Sequence, residues 1–435
     1  MKINELNKHF NEEVELQGFV ENIRDLQWVQ FVILRDKTGK VQITIEKSEE
    51  KNKEIVELIS NLSLESTIKV TGKILESPKV KLNGMEMIPS YIEVTSSAEP
   101  ELPINIKDKD AQEIDTRLDY RFLDLRNDYN ASIFKIQSDI VKTMREFLYK
   151  KDFMEIHTPK LIGTASESGS EVFEVKYFDR KAYLAQSPQF YKQMAMASGL
   201  DRIFEIGPVF RAEKSFTNRH TTEFTGIDLE ISWVESLEDV MQIEENMIAY
   251  AFKEVKQAYG EEIQKLFGVE LVVPTVPFPR MKMEKAIEIL QDLDYDIEFG
   301  EDFATEHEKA LGEYLVKKNG HEFYFITDFP SDFRAFYQKR YEGTKITQSF
   351  DLYFKGMEIT TGSLREHRYE QLTKQALEHG NTQENIQFYL DFFRYGCAPH
   401  GGFGIGLDRM TMLMLNLSSI KESMYIFRGP TRFNP

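Results

Sequence analysis

Short runs of alternating apolar and polar residues fill the first hundred positions. Val14 to Val20 alternates and ends near Arg24. Phe31-Val32-Ile33-Leu34 and Val41-Gln42-Ile43-Thr44-Ile45 flank Arg35-Asp36-Lys37-Thr38-Gly39-Lys40, whose turn chemistry predicts a hairpin. Ile55, Leu58 and Ile59 recur at helical spacing and predict a short helix over 53–62. Strands follow over 67–75 and 85–94, with Asn83-Gly84 at the turn between them. Five strands with a helix between the third and fourth is the order of an OB-fold barrel. Such barrels often bind single-stranded nucleic acid by stacking bases on aromatic side chains. A structural barrel or a protein-binding module carries the same pattern.

After a polar, proline-bounded stretch (96–103) and a charge-rich segment (108–127) that reads as a connecting hinge, the character changes. Ile133, Ile136, Ile140, Met144 and Phe147 form a helical stripe, which leads into a strand stopped by Pro159. Further strands (172–175, 202–211, 224–233) mix with helices (237–259, 283–293, 385–393). Short loops between neighbouring strands favour an antiparallel sheet over a doubly wound one. The expected fold class is α+β.

The chain of 435 residues has a formal charge of −18 and one cysteine, Cys397. The acidic balance argues against a non-specific DNA coat or a membrane-surface binder. A nucleic-acid partner would need a local basic track, for which Lys79, Lys81 and the surroundings of Lys214 are candidates. One cysteine forms no internal disulfide, the first residues are polar, and no window approaches the ~20 apolar residues of a membrane span. A cytoplasmic location, with no membrane partner, is expected. Cys397 reads as a packed small residue rather than a nucleophile.

No phosphate-loop motif and no zinc motif is present, and Arg409 occupies the last glycine position of a dinucleotide fingerprint. Three clusters remain. In the first, two strands flank a loop with Arg211 and Arg219, whose guanidinium forks suit a polyphosphate; a single loop arginine is more often solvated. In the second, Glu358-Ile359-Thr360-Thr361, the oxygens of Glu358 and Thr361 suit a hard cation such as Mg²⁺, and a surface turn is the plain alternative. In the third, Gly401-Gly402-Phe403-Gly404-Ile405-Gly406-Leu407-Asp408-Arg409 precedes a helix over 410–417, and glycines before a helix N-terminus suit an anion.

Together, and in this order, the helix ending near Pro159, the Phe210-Arg211-Ala212-Glu213 to Glu223-Phe224 stretch and the Gly404 to Arg409 run resemble the three signature motifs of class II aminoacyl-tRNA synthetases. A barrel ahead of the catalytic domain resembles subclass IIb, the aspartate, asparagine and lysine enzymes. Ser187-Pro188-Gln189-Phe190-Tyr191-Lys192-Gln193 and Glu223 to Glu230 are similar to the aspartyl enzymes of archaeal and eukaryotic type, without the large bacterial insertion.

The resemblance implies an anticodon-binding barrel (1–100), a linker (101–128) and a catalytic domain with an antiparallel sheet flanked by helices (129–435). It implies ATP-dependent attachment of L-aspartate to tRNA(Asp) through an aspartyl-adenylate, in a homodimer, and leaves open whether tRNA(Asn) is also charged. Asparaginyl-tRNA synthesis, or a paralogue making asparagine, are the alternatives. Arg211 and Arg409 would be catalytic. ATP would meet Arg211, Ala212, Glu213, Arg219, His220, Thr221, Phe224, Glu358, Gly406, Leu407, Asp408 and Arg409. Aspartate would meet Ser166, Glu167, Gln189, Phe190, Tyr191, Lys192, Arg211, Thr361 and Arg365. Glu358 and Thr361 would hold Mg²⁺, where the family usually has serine at the second place. Phe31, Gln42 and Arg24 would read the anticodon.

Overall fold

The computed structural model describes residues 1–164, 172–214, 217 and 219–434. They divide into two compact units, Met1–Pro103 and Ile104–Pro435.

The first unit is a closed barrel of β1 (Glu13–Asp25), β2 (Val29–Asp36), β3 (Gly39–Glu46), β4 (Thr67–Glu76) and β5 (Met85–Ser96), in the order β1-β2-β3-β5-β4, with helix α1 (Lys53–Ser60) between β3 and β4. Strand β1 closes it by pairing with both β2 and β4, and it bulges between Val20 and Asn22. The turn after β2 is held by Asp36, whose Oδ1 accepts the amides of Thr38 (2.6 Å) and Gly39 (3.0 Å). Alternation then fills the interior with Val32, Leu34, Val41, Ile43 and Ile45.

The second unit opens with α2 (Ile114–Asp119) and α3 (Arg121–Asp124). This stretch, expected as a hinge, is folded: buried Asp124 accepts from Arg117 Nε (2.8 Å) and from Arg121 Nη1 (2.5 Å). Most of its charges are exposed and mimic a solvated linker in sequence, but Arg117, Arg121 and Asp124 are paired inside.

Next come α4 (Asp128–Lys150), β6 (Met154–Glu155), β7 (Leu161–Ile162), β8 (Glu174–Tyr177), β9 (Arg180–Leu184), α5 (Gln189–Ala197), β10 (Arg202–Phe210), β11 (Glu223–Ser232) and α6 (Leu237–Phe267). The chain continues through β12 (Arg280–Lys282), α7 (Met283–Asp292), α8 (Thr305–Asn319), β13 (Phe323–Thr327), β14 (Ser349–Phe354), β15 (Met357–Leu364), α9 (Tyr369–Glu378), α10 (Gln383–Arg394), β16 (His400–Gly406), α11 (Leu407–Met414) and α12 (Ile420–Ser423). Eight strands form one sheet in the order β12-β13-β14-β15-β16-β11-β10-β6. It is antiparallel except at its two edges, where β6 and β12 pair in parallel. The α4 stripe from Ile133 to Phe147 is buried with α6 and the sheet in the main core. Helix α6 runs past Tyr259, where the sequence suggested its end, because Ile263 extends its buried stripe. It stops at Gly268, with φ 67°.

One buried acid on this helix has no partner. Glu244 is fully buried, and neither of its carboxylate oxygens, nor the hydroxyl of nearby Thr360 on β15, makes a hydrogen bond among the described residues. Burial pushes the Glu244 carboxyl up to about 8, with the charges of Glu245 and Asp351 adding. The unfolded chain releases this proton near its ordinary value of 4.5, while the folded chain holds it to about 8. Stability should therefore fall between those pH values, by up to about 1.4 kcal/mol per unit. Glu244→Gln should melt higher than the parent at pH 8 and nearly alike at pH 5. Parallel melting curves at both pH values would refute a neutral Glu244.

Candidate active site

A cavity of about 580 Å³ opens over β11, β15 and β16 of the large sheet. The pleat of β11 decides what faces it. Ile227, Leu229 and Ile231 point back into the core, so Phe224, Gly226, Asp228 and Glu230 point forward. Strand β16 lies beside it, with Gly404 opposite Asp228 and Gly402 opposite Glu230. A Cβ on Gly402 would collide with the Glu230 carboxylate, and one on Gly404 would lie 3.0 Å from Asp228 Oδ1. The glycine run is thus a strand that makes room for two acids; the helix begins after it, at Leu407. The sequence placed that helix over 410–417; it spans Leu407–Met414.

Two cations neutralise these acids. Lys192, fully buried on α5, places Nζ 2.9 Å from Asp228 Oδ1 and 3.5 Å from Glu230 Oε2, and donates to the Phe403 carbonyl at 3.3 Å. Arg365 grips Glu230 through Nε at 2.8 Å and Nη2 at 3.2 Å, and reaches Ser363 Oγ at 2.6 Å. Complete burial would raise the Glu230 carboxyl, but Arg365 and Lys192 outweigh it and hold the group below its ordinary value. Behind them burial drives His400 down to about 4, so its ring is neutral.

The opposite side of the cavity is rich in arginine. Arg211, at the end of β10, stacks over Phe224 at 5.3 Å, and its Nε is buried with no hydrogen-bond partner among the described residues. Arg219 donates through Nη1 to Glu308 on α8 (2.7 Å). Arg409 donates to the Glu358 carbonyl (2.7 Å). Arg334 forks onto Asp351 at 2.9 and 2.5 Å. Burial, then the charge of Asp351, push the Glu358 carboxyl up to about 7 against Arg409 and Arg334. Thr361 donates to it at 3.2 Å. Burial holds His220 below its ordinary value against the pull of Glu213, with Arg409, Arg219 and Arg211 adding to the lowering.

Of the residues singled out in sequence, Gln189, Lys192, Arg211, Glu213, Arg219, His220, Thr221, Phe224, Glu358, Thr361, Arg365, Gly406, Asp408 and Arg409 line this one cavity. Asp408 is also a fastener: its Oδ2 accepts the Thr225 amide at 3.0 Å. Ala212, Phe190, Tyr191 and Leu407 are not in its wall. Phe190 packs against Tyr389, their rings tilted with centroids 4.5 Å apart, and Leu407 is in the main core. Ser166 and Glu167 lie outside the described residues. The sequence reading assigned no role to Asp228 and Glu230, although their alternation with Ile227, Leu229 and Ile231 marks them as a polar face. Asp351, Arg334 and Glu308 carried no local signal.

In the barrel, Phe31 is half-buried on the outer face rather than in the core, between Arg24 of β1 and Thr44 of β3. Gln42 shares that face and donates to Thr44 Oγ1 at 3.1 Å.

Burial pushes the Cys397 thiol up to about 12, which leaves no thiolate. Among the described residues no helix is long and apolar enough to cross a membrane.

Residues 113–427 match the family model for class II tRNA synthetases (D, K and N), and residues 14–95 match that for an OB-fold nucleic acid binding domain. The aspartate–tRNA(Asp) ligase of Pyrococcus furiosus is 45% identical over 99% of this chain and 98% of its own. The aspartate–tRNA(Asp/Asn) ligase of Methanopyrus kandleri is 42% identical over 98% and 96%. Among solved structures, asparaginyl-tRNA synthetase from Pyrococcus horikoshii complexed with asparaginyl-adenylate superposes with a TM-score of 0.91 at 32% identity, covering 100% of this chain and 99% of that one. Aspartyl tRNA synthetase from Entamoeba histolytica gives 0.89 at 35%, covering 100% and 92%. On the joint weight of the sheet, its cavity and these matches, the chain belongs to the class II tRNA synthetases of the aspartate, lysine and asparagine group.

Proposed function

We propose that the chain joins L-aspartate to tRNA(Asp) through an aspartyl-adenylate. The observation that carries this reading is buried Lys192, 2.9 Å from Asp228 and beside the Glu230–Arg365 pair. The floor pairs two cations with two acids, and Arg211 across the cavity adds a third positive charge. Aspartate brings one ammonium and two carboxylates, which balances the set. Asparagine, with a neutral side chain, leaves one buried positive charge over, and buried charges left unpaired discriminate strongly.

Arg211, whose Nε has no hydrogen-bond partner among the described residues, would hold the α-phosphate and the substrate carboxylate. Phe224 and Arg409 would sandwich the adenine, Glu213 would read its edge, and Arg219, His220 and Thr221 would meet the outer phosphates. The aspartate α-carboxylate, ionised at pH 7, attacks the α-phosphorus in line, and pyrophosphate leaves. No general base is needed, which suits a neutral His220. The terminal ribose hydroxyl of tRNA then attacks the acyl carbon and AMP departs. Positioning and charge stabilisation supply the acceleration.

Glu358, Asp351 and Thr361 fit Mg²⁺: a buried carboxyl pushed to about 7 beside a second carboxylate is relieved by a hard cation. When bound, that ion would supply charge to the phosphates. On the barrel, Arg24, Phe31 and Gln42 would take the anticodon by stacking and hydrogen bonding. A homodimer is supported by the resemblance and by exposed Tyr149 and Met154 beside edge strand β6.

ATP–pyrophosphate exchange should require aspartate and fail with asparagine or lysine; exchange with asparagine overturns the charge argument. Arg211→Ala should lower exchange at least a hundredfold with an unchanged melting temperature, and wild-type exchange would remove Arg211 from the mechanism. Phe31→Ala should leave exchange intact but raise KM for tRNA about tenfold, the scale of one lost base stack. Equal tRNA kinetics would take the anticodon off this face. Charging transcripts of tRNA(Asp) and tRNA(Asn) side by side decides between one acceptor and two.

A further inference from the structure

Glu308 on α8 stands behind the arginine side of the cavity, in contact with Arg219, which lines it. Its backbone is fixed from two directions. The Tyr324 hydroxyl donates to its carbonyl at 3.2 Å. The turn between β14 and β15 presses on α8 so closely that a Cβ on Gly356 would lie 2.9 Å from the Glu308 oxygen, and one on Gly312 2.6 Å from Gly356 Cα. Gly356 has φ 72°, so any side chain there would also strain the backbone. That turn joins the strands bearing Asp351 and Glu358. Glu308 therefore stands at a set distance from them.

Its partner is differently placed. Arg219 sits on the connection between β10 and β11, in neither strand nor helix. The single hydrogen bond of its guanidinium to a described residue is the 2.7 Å contact to Glu308. Arg211, Arg334 and Arg409 line the same cavity and repel it. A long side chain on a loop loses rotamer freedom when it binds a ligand, and like charges drive it outward. A fixed carboxylate removes both costs beforehand. The contact uses Nη1 alone, whereas an arginine committed to a carboxylate commonly presents two nitrogens.

We propose that Glu308 is a positioning residue for ATP: it holds Arg219 at the outer-phosphate end of the cavity before the nucleotide arrives. The inference rests on the reading of Arg219 as a phosphate ligand. It also makes the Gly312–Gly356 contact part of ATP recognition, since that contact sets where Glu308 stands.

The test is pyrophosphate exchange at saturating aspartate with ATP varied, on R219A, E308A, E308Q and R219A/E308A, with a melting curve for each. R219A and E308A should each raise KM for ATP about tenfold, the scale of one charge-assisted hydrogen bond. In E308A turnover should stay within about twofold and KM for aspartate should not move. E308Q, of the same shape without the charge, should raise KM for ATP by about threefold or more. The double variant should be no worse than R219A, because both changes remove one interaction. If E308A melts early, E308Q carries the decision. Tighter or unchanged ATP binding in E308Q, with weak binding in R219A, overturns the positioning role and leaves Arg219 a phosphate ligand. An unchanged KM for ATP in R219A overturns the reading of Arg219 and this inference with it.

Discussion

Lys192, Asp228, Glu230 and Arg365 are 1%, 8%, 0% and 4% exposed, and their charges are paired with one another. Moving an ion out of water costs several kcal/mol even after relaxation, so none of the four is tolerable alone. Removing one partner leaves an uncompensated buried charge, which typically costs about 3–5 kcal/mol. This array dictates its surroundings. Strand β16 must be glycine where it passes the two carboxylates. Helix α5 must present Lys192 inward while Phe190 packs outward against Tyr389. The end of β15 must turn Arg365 back over the sheet, where Ser363 completes its hydrogen bonds.

The arginine side of the cavity follows a looser rule. Asp351 takes Arg334 by both nitrogens, Glu308 takes Arg219 by one, and Arg409 has a carbonyl. Arg211 keeps a buried Nε without a hydrogen-bond partner among the described residues. An unmet buried donor is worth about 1–3 kcal/mol to whatever satisfies it. The two sides thus differ in kind. One is closed and internally neutral, and shapes the space. The other holds unsatisfied positive charge, and attracts.

Patterns with one buried face were legible in the sequence. The barrel strands alternate, and the α4 helix shows its stripe. Strand β1 looked shorter than its 13 residues because the bulge between Val20 and Asn22 breaks the alternation. Strands β13 and β14 were not seen. Ser349–Phe354 is buried throughout, and Phe323–Thr327 nearly so, and a strand covered on both faces has no period to detect. Glycine was opaque in a related way: Gly401 to Gly406 did not read as a strand, because the acids that require the glycines lie on another strand. Asp351 and Arg334 are 17 residues apart, and Arg219 and Glu308 are 89 apart. Pairs at such separations leave no local trace. The Arg211, Arg219 and Arg409 cluster could be found only because three separate motifs keep a fixed order.

The closed array also bears on what the floor accepts. If Lys192 and Arg365 stood without Asp228 and Glu230, any small dianion would find two buried cations waiting. With the acids in place the floor is neutral, and a carboxylate arriving alone must compete with Asp228 for Lys192. An ammonium arriving with it changes the balance, because it offers the displaced acid a new partner. On the proposed reading the array therefore selects for a zwitterion with a second carboxylate, rather than for negative charge. Lys192 supplies the attraction for the side chain; Asp228 sets the condition that the amino group come too. Neither residue could do this in water, where each interaction would be worth a small fraction of its value in a buried site.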